Sequence, residues 1–133
     1  MSRPPPWIGV DLDGTLAVYA GWKGPEHIGE PVPAMLARVH GWLAEGKKVK
    51  LFTARAGDPS QHPHLRAWLD SHQLHALEIT DRKDYGMVEL WDDRCVQVVP
   101  NTGEPLGKSR LPEPVPVTFH LTERAVPGTA WRP

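Results

Sequence analysis

Cysteine is all but missing: Cys95 is the one thiol in 133 residues, so no internal disulfide can form and a reducing, cytoplasmic setting is expected. Long apolar runs are missing too. No stretch approaches the roughly 20 apolar residues that a membrane-spanning helix needs, and residues 1–6 lack the apolar core of a signal peptide. A soluble chain with no membrane partner is therefore expected. Nor does one sign of charge dominate, since 15 lysines and arginines meet 16 aspartates and glutamates for a formal net charge of -1. That balance excludes a broad basic nucleic-acid surface and leaves only local patches. Length sets a further bound, because 133 residues hold one domain with a real core and hardly two.

Proline and tryptophan are abundant instead, at 15 and 6 residues. The prolines gather at the two ends and around residues 25–33, which implies a compact middle with irregular trimmings. That middle opens on Trp7, Ile8, Gly9 and Val10, an apolar run that delivers Asp11 and Asp13 into a turn at Gly14 and Thr15. So apolar a run is expected as a strand buried in a parallel sheet, where ligands collect at the carboxyl ends of the strands. Two carboxylates placed there repel each other, and a cation, an ammonium or a raised pKa has to relieve them.

Downstream, residues 17–33 mix glycine and proline without periodicity and read as a loop or short flap. From Pro33 the pattern becomes helical, with Leu36, Val39 and Leu43 on one face, Met35 and Trp42 widening it, and Gly46 as the stop. A second strand follows over 48–55, ending in Thr53 and Arg55. Asp58, Pro59 and Ser60 supply the start of another helix that turns Leu65, Trp68 and Leu69 inward, with Pro63 tolerated only in its first turn. Short strands are expected at 76–80, at 88–91 and at 96–99, the second running directly into Asp92 and Asp93. Strands alternating with helices imply an α/β fold with a parallel sheet. The expected core spans residues 1–100, followed by a proline-rich extension over 101–133. There Val115, Val117, Phe119 and Leu121 alternate with polar residues and proline, and Pro116 confines any strand at 115–121 to an edge.

Strand ends thus contribute Asp11 and Asp13, Thr53, Lys83 from the charged turn 81–84, and Asp92 with Asp93. An all-oxygen set of carboxylates suits Mg²⁺. A cation, a lysine and a hydroxyl together make a receptor for a phosphoryl group, whose equatorial oxygens need positive charge during transfer. Asp11 can attack phosphorus as a nucleophile, and Asp13 can protonate the leaving oxygen and then activate water.

Asp11-Leu12-Asp13-Gly14-Thr15-Leu16, then Thr53 at a strand end, Lys83, and Asp92-Asp93 after Glu89-Leu90-Trp91 resemble, in that order, the four signatures of the haloacid dehalogenase-like phosphohydrolases. The resemblance covers about residues 7–99. It implies a Rossmann-like three-layer αβα fold with a central, mostly parallel sheet. Asp11 would be nucleophile and metal ligand, and Asp13 the general acid/base whose backbone carbonyl is a second ligand. Thr53 and Lys83 would contact phosphoryl oxygens, Arg82 being the weaker substitute for Lys83. Asp92 would be the direct ligand, with Asp93 acting through water or by orienting Lys83. No interval has room for a folded cap, so the chain resembles the small capless members, which act on large substrates or close the site by oligomerising. Trp22, Lys23, His27 and Arg55 are then expected near the leaving group. The substrate class implied is a phosphomonoester, either a small molecule such as a nucleotide or the end of a polynucleotide.

Blander readings stand beside these. Asp-x-Asp turns are often only capping pairs, and Lys83 and Thr53 have ordinary surface or strand-end counterparts. The histidines His62 and His64 lack a third ligand at metal spacing. Cys95 is expected as a buried structural thiol, and Trp91 as a packing residue. A phospho-receiver domain would place threonine and lysine differently in the order, and a dehalogenase would have no need of the second acidic pair. A non-catalytic phosphate- or metal-binding module is the remaining alternative.

Overall fold

A computed structural model describes residues 4–116. Four strands form one parallel sheet: β1 (Trp7–Val10), β2 (Val49–Phe52), β3 (Glu78–Thr80) and β4 (Met87–Trp91), in the order β3-β2-β1-β4. Two helices lie in the connections, α1 (Pro33–Ala44) between β1 and β2 and α2 (His62–Ser71) between β2 and β3. The α/β class expected from the alternation of elements is therefore present. β1 sits between β2 and β4 and is buried along its whole length, which is why its sequence is apolar without alternation.

The register decides what the sheet presents at its carboxyl edge. Val10 pairs with Leu51 on one side and with Trp91 on the other, and Phe52 pairs with Thr80. The residues that step off these strands are Asp11, Thr53, Asp81 and Asp92, all at about one level. Asp11 is tied there by its own N–H, which donates to the Trp91 carbonyl at 2.9 Å.

Both helices follow their sequence signals closely. α1 begins with Pro33 in its first turn, buries Met35 and Val39, and ends where Gly46 takes φ +78°, a conformation glycine adopts without steric cost. α2 buries Leu65 and Leu69, with Pro63 in its first turn. Asp58 caps a short 3₁₀ turn (Pro59–Gln61) rather than α2 itself, accepting from the Ser60 N–H at 3.0 Å. The core joins these helix residues to Val10, Leu12, Leu16, Val49, Leu51, Leu74 and Leu77. Trp91 packs as expected, edge-on to Trp42 at 5.2 Å with the Arg38 guanidinium 4.9 Å from its ring centre.

Residues 17–33 form an irregular excursion closed at its base by Val18 N–H to Glu30 O and Val32 N–H to Leu16 O, both 2.8 Å. Ala17 and Pro31 make a single antiparallel bridge there. Between those ties the chain carries no helix or strand.

The chain divides into two compact units, the first ending at Cys95 and the second beginning at Val96. Within the second, the strand expected at 96–99 does not form. Val98 makes one antiparallel bridge to Pro105, because Pro100 and the left-handed Asn101 (φ 67°) and Gly103 (φ 75°) fold the segment back on itself. Residues 115 and 116 are in no regular element, and the remainder of the edge strand expected at 115–121 lies outside the described residues.

Candidate functional site

Four strand ends wall a cavity of about 470 Å³ lined by Asp11, Asp13, Thr53, Arg55, Asp81, Asp92 and Arg94, with Tyr19, Trp22 and Phe52 as its aromatic surfaces. That volume lies within the range of small-ligand sites, roughly 300–1,000 Å³. The first acidic residue enters because β1 ends at Val10 and the chain then turns tightly. Leu16 N–H and Ala17 N–H return to the Leu12 carbonyl at 3.0 and 2.8 Å, and Leu12, Leu16 and Ala17 are all fully buried. The turn is thus anchored in the core while Asp11 and Asp13 stay at the edge.

Asp11, Asp92 and Asp93 each offer a carboxylate oxygen, and the three atoms lie within 4.8 Å of one another. Among the described residues this is the one group of acidic, histidine or cysteine side chains arranged to hold a metal ion. Thr15 braces it: its hydroxyl accepts from Asp93 N–H at 3.0 Å and lies 3.2 Å from Asp93 Oδ1 and 3.4 Å from Asp11 Oδ2, so its single proton serves those two acceptors in turn. Asp92 Oδ1 accepts from Arg94 N–H at 2.7 Å. Gly14 has φ +92°, and a Cβ there would come within 2.6 Å of an Asp93 carboxylate oxygen. Glycine is required at that position both for the turn and for the approach of Asp93.

Burial and the neighbouring acids act on Asp11. Asp11 is pushed up from 3.8 to about 7, first by burial, then by the charge of Asp92, by a hydrogen bond with Asp93, and by the charge of Asp93. Without a cation, a proton does the neutralising. The lining holds four carboxylates, those of Asp11, Asp13, Asp81 and Asp92, against the guanidinium groups of Arg55 and Arg94, and Asp13 already occupies Arg55. A divalent ion fits this donor set, which is all oxygen and short of positive charge.

Asp13 is held by Arg55, which lines the same cavity. Both of its oxygens accept from Arg55, Oδ2 from Nε and Oδ1 from Nη2, each at 2.8 Å. Arg55 is buried, 7% exposed, and stands in a 3₁₀ turn (Ala54–Gly57) capped by Thr53, whose Oγ1 accepts from Arg55 N–H at 3.2 Å. The guanidinium reaches the flap as well, donating to Pro25 O at 3.3 Å and His27 O at 3.1 Å, with the Trp22 ring centre 4.9 Å from its carbon.

The structure therefore brings together Asp11, Asp13, Thr53, Arg55 and Asp92 in one cavity, with Asp93 behind them against Gly14 and Thr15. It does not bring Lys83 there. Lys83 is exposed and lines a separate hollow with Asp84 and Tyr85. Its neighbour Asp84 accepts from Trp7 Nε1 and Gly86 N–H, both at 2.7 Å, which ties this loop to the first residue of β1. Of the flap residues expected near a leaving group, Trp22 lines the cavity and Lys23 and His27 do not.

Sequence reasoning missed Asp81 and Arg94. Asp81 follows the last residue of β3, and Arg94 follows Asp92-Asp93, so adjacency to expected strand ends was the available signal. Cys95 is exposed rather than buried, because it follows the turn after β4 instead of entering the core. Its thiol is held above the usual range by partial burial and by the charges of Asp92, Asp11 and Asp93. His62 belongs to the start of α2, its Nε2 paired with Ala56 O at 2.9 Å.

Fold and site define a parallel α/β sheet with a cation-type carboxylate cluster at its carboxyl edge. Comparison with family models, curated proteins and solved structures gives no significant match to this chain. No helix among the described residues is long and apolar enough to cross a membrane.

Proposed function

We propose that this chain is a Mg²⁺-dependent phosphomonoester hydrolase of the haloacid dehalogenase-like kind. It would have the Rossmann-like three-layer core of that family without a cap domain. The observation that carries this reading is the convergence of Asp11, Asp92 and Asp93 within 4.8 Å, with Asp13 lining the same cavity as Asp11 and Asp92. Nucleophile, acid/base and cation ligands then surround one volume large enough for a phosphate ester.

Asp11, Asp92 and the carbonyl of Asp13 would hold Mg²⁺, with Asp93 assisting. Bound there, the ion screens the acids from one another and from an anionic substrate and stabilises charge on the phosphoryl oxygens. The Asp11 carboxylate attacks phosphorus, the ester P–O bond breaks, and the departing alkoxide takes a proton from Asp13, which carries that proton only once its carboxylate has left the Arg55 guanidinium. Asp13, now ionised, removes a proton from water. The resulting hydroxide attacks phosphorus in the aspartyl-phosphate, the bond to Asp11 breaks, and inorganic phosphate leaves. Thr53 Oγ1 accepts from the Arg55 N–H, which leaves its own proton to donate to a phosphoryl oxygen. Arg94, in the cavity lining, supplies the positive charge that Lys83 does not bring in this arrangement.

The cavity suits the phosphate of a nucleotide or of a polynucleotide end, and a second copy of the chain would close its open side. Turnover on a panel of nucleotides, sugar phosphates and 3′-phosphorylated oligonucleotides, lost with EDTA and with Asp11→Asn, is the expected result. Activity that survives Asp11→Asn refutes the nucleophile. The placement of Lys83 favours a second reading, a non-catalytic phosphate- or metal-binding module. Mg²⁺ binding without turnover on any of these substrates would establish it over the first.

A further inference from the structure

We infer that the end of the cavity away from the acid cluster is a nucleoside subsite, where Trp22 and Tyr19 stack the base and Asp81 accepts from a ribose hydroxyl. The ester hydrolysed is then a ribonucleotide. The inference rests on the phosphatase reading above and names its substrate. Strand order sets the two ends apart. Asp11 and Asp92 leave the neighbouring strands β1 and β4, whereas Asp81 leaves β3, two strand spacings or about 10 Å from Asp11. Asp81 lines the same cavity but stands outside the group of acids that can share a cation. Among the described residues, none engages its carboxylate in a hydrogen bond or an ion pair.

The turn after β2 gathers the rest of the subsite. Its Gly57 lies beside Asp81, since a Cβ there would stand 3.2 Å from Asp81 Oδ2, and its Arg55 guanidinium lies 4.9 Å from the Trp22 ring centre. Trp22 is thus backed on one face by a buried side chain that Asp13 holds in place. The residue is nonetheless 55% exposed, and Tyr19 beside the same cavity is 40% exposed. A ring held on one face and open elsewhere is a stacking surface prepared in advance. A phosphoryl group fills only part of about 470 Å³, so the leaving group occupies the remainder. The rings ask for a flat partner and the carboxylate for a hydroxyl donor. A ribonucleoside offers both, whereas a plain sugar lacks the ring and a simple phenol lacks the hydroxyls. Every base has a π-face, so this platform tolerates any of them.

The test uses the full chain with Mg²⁺ and three probes: adenosine 5′-monophosphate, ribose 5-phosphate without the base, and phenyl phosphate without the ribose. The quantity read is the ratio of kcat/KM values on two probes in one sample, which does not depend on how much of a variant is folded. Trp22→Ala is expected to lower the ratio of adenosine 5′-monophosphate to ribose 5-phosphate by at least about 5-fold, and Trp22→Phe, which keeps a ring, to retain most of it. Asp81→Ala should lower the ratio of adenosine 5′-monophosphate to phenyl phosphate by about 10-fold. A wild-type chain that uses ribose 5-phosphate as well as adenosine 5′-monophosphate overturns the subsite, as does either ratio left unmoved by its variant. Equal loss in Trp22→Phe and Trp22→Ala overturns stacking as the cause. If the wild-type chain hydrolyses none of the three, the phosphatase reading fails by itself, and isothermal titration of adenosine 5′-monophosphate and ribose 5-phosphate into that chain decides the subsite. Tighter binding of the nucleotide, lost in Trp22→Ala, supports it, and no such preference overturns it.

Discussion

Both oxygens of the Asp13 carboxylate accept from the Arg55 guanidinium at 2.8 Å, across 42 residues of sequence. The pair is largely shielded, with side-chain exposures of 6% for Arg55 and 23% for Asp13. Removing one partner strands the other charge. Arg55→Met is therefore expected to destabilise the fold by about 2–4 kcal/mol, the lower part of the range for broken buried pairs because Asp13 keeps some solvent. Adding Asp13→Asn to that variant should restore about half of the loss. Urea unfolding of the two single variants and the double variant measures the coupling. Simple additivity would show that the two side chains do not stabilise one another.

A second expectation concerns pH. The Asp11 pKa is raised from 3.8 to about 7 in the folded chain, so the folded state holds this proton more tightly than the unfolded one. Stability of the metal-free protein must then fall as pH rises from about 4 to about 7 and level off above that. Asp11→Asn should remove this dependence and melt about 4–8 °C above wild type at pH 8 without metal, taking about 1 kcal/mol as the relief after discounting for solvent. Mg²⁺ should raise the wild-type melting temperature more at pH 8 than at pH 5, since protons and the cation compete for one cluster. Melts at the two pH values with Mg²⁺ or EDTA decide it; a flat metal-free profile contradicts the crowding of the three acids.

Gly14→Ala should damage the site more than the fold. At φ +92° a Cβ is strained, and here it would also push on the Asp93 carboxylate at 2.6 Å. A cost of about 1–2 kcal/mol in stability should accompany a loss of Mg²⁺ affinity of at least about 10-fold. Isothermal titration with Mg²⁺ alone, beside a thermal melt, separates the two effects. Unchanged affinity would mean that Asp93 is not held by this turn in any way that matters to the ion.

Leu51→Ala tests the sheet rather than the site. Leu51 is fully buried in β2 and pairs with Val10 just before Asp11. The expected loss is about 2–5 kcal/mol, with little change in the kcat of the fraction that remains folded. A kcat that falls along with stability would show that core packing sets the position of Asp11.

Much of this was legible along the chain. The uninterrupted apolarity of residues 7–10 announced a central strand, the 3.6-residue spacing after Pro33 announced α1, and the strand-then-acid pattern at Asp11 and at Asp92 located the carboxyl edge. These signals are local, and local chemistry encodes them directly. The strand expected at 96–99 failed because a run of valines does not reveal whether a partner strand lies beside it. Arg55 was expected among substrate contacts, since a cation beside a phosphate site invites that role, and nothing in the sequence shows that Asp13 already occupies it.

The sequence alone determined the element types, the buried faces and the identity of the acids at the strand ends. Tertiary structure decided their relations. Val10 had to pair with Trp91 before Asp11 and Asp92 could crowd each other, and Lys83, beside the Asp84 that Trp7 holds, came to line a hollow apart from those acids. Backbone propensity and side-chain polarity act within a few residues, whereas strand register and ion pairing join groups tens of residues apart, so these relations are settled only when the sheet assembles.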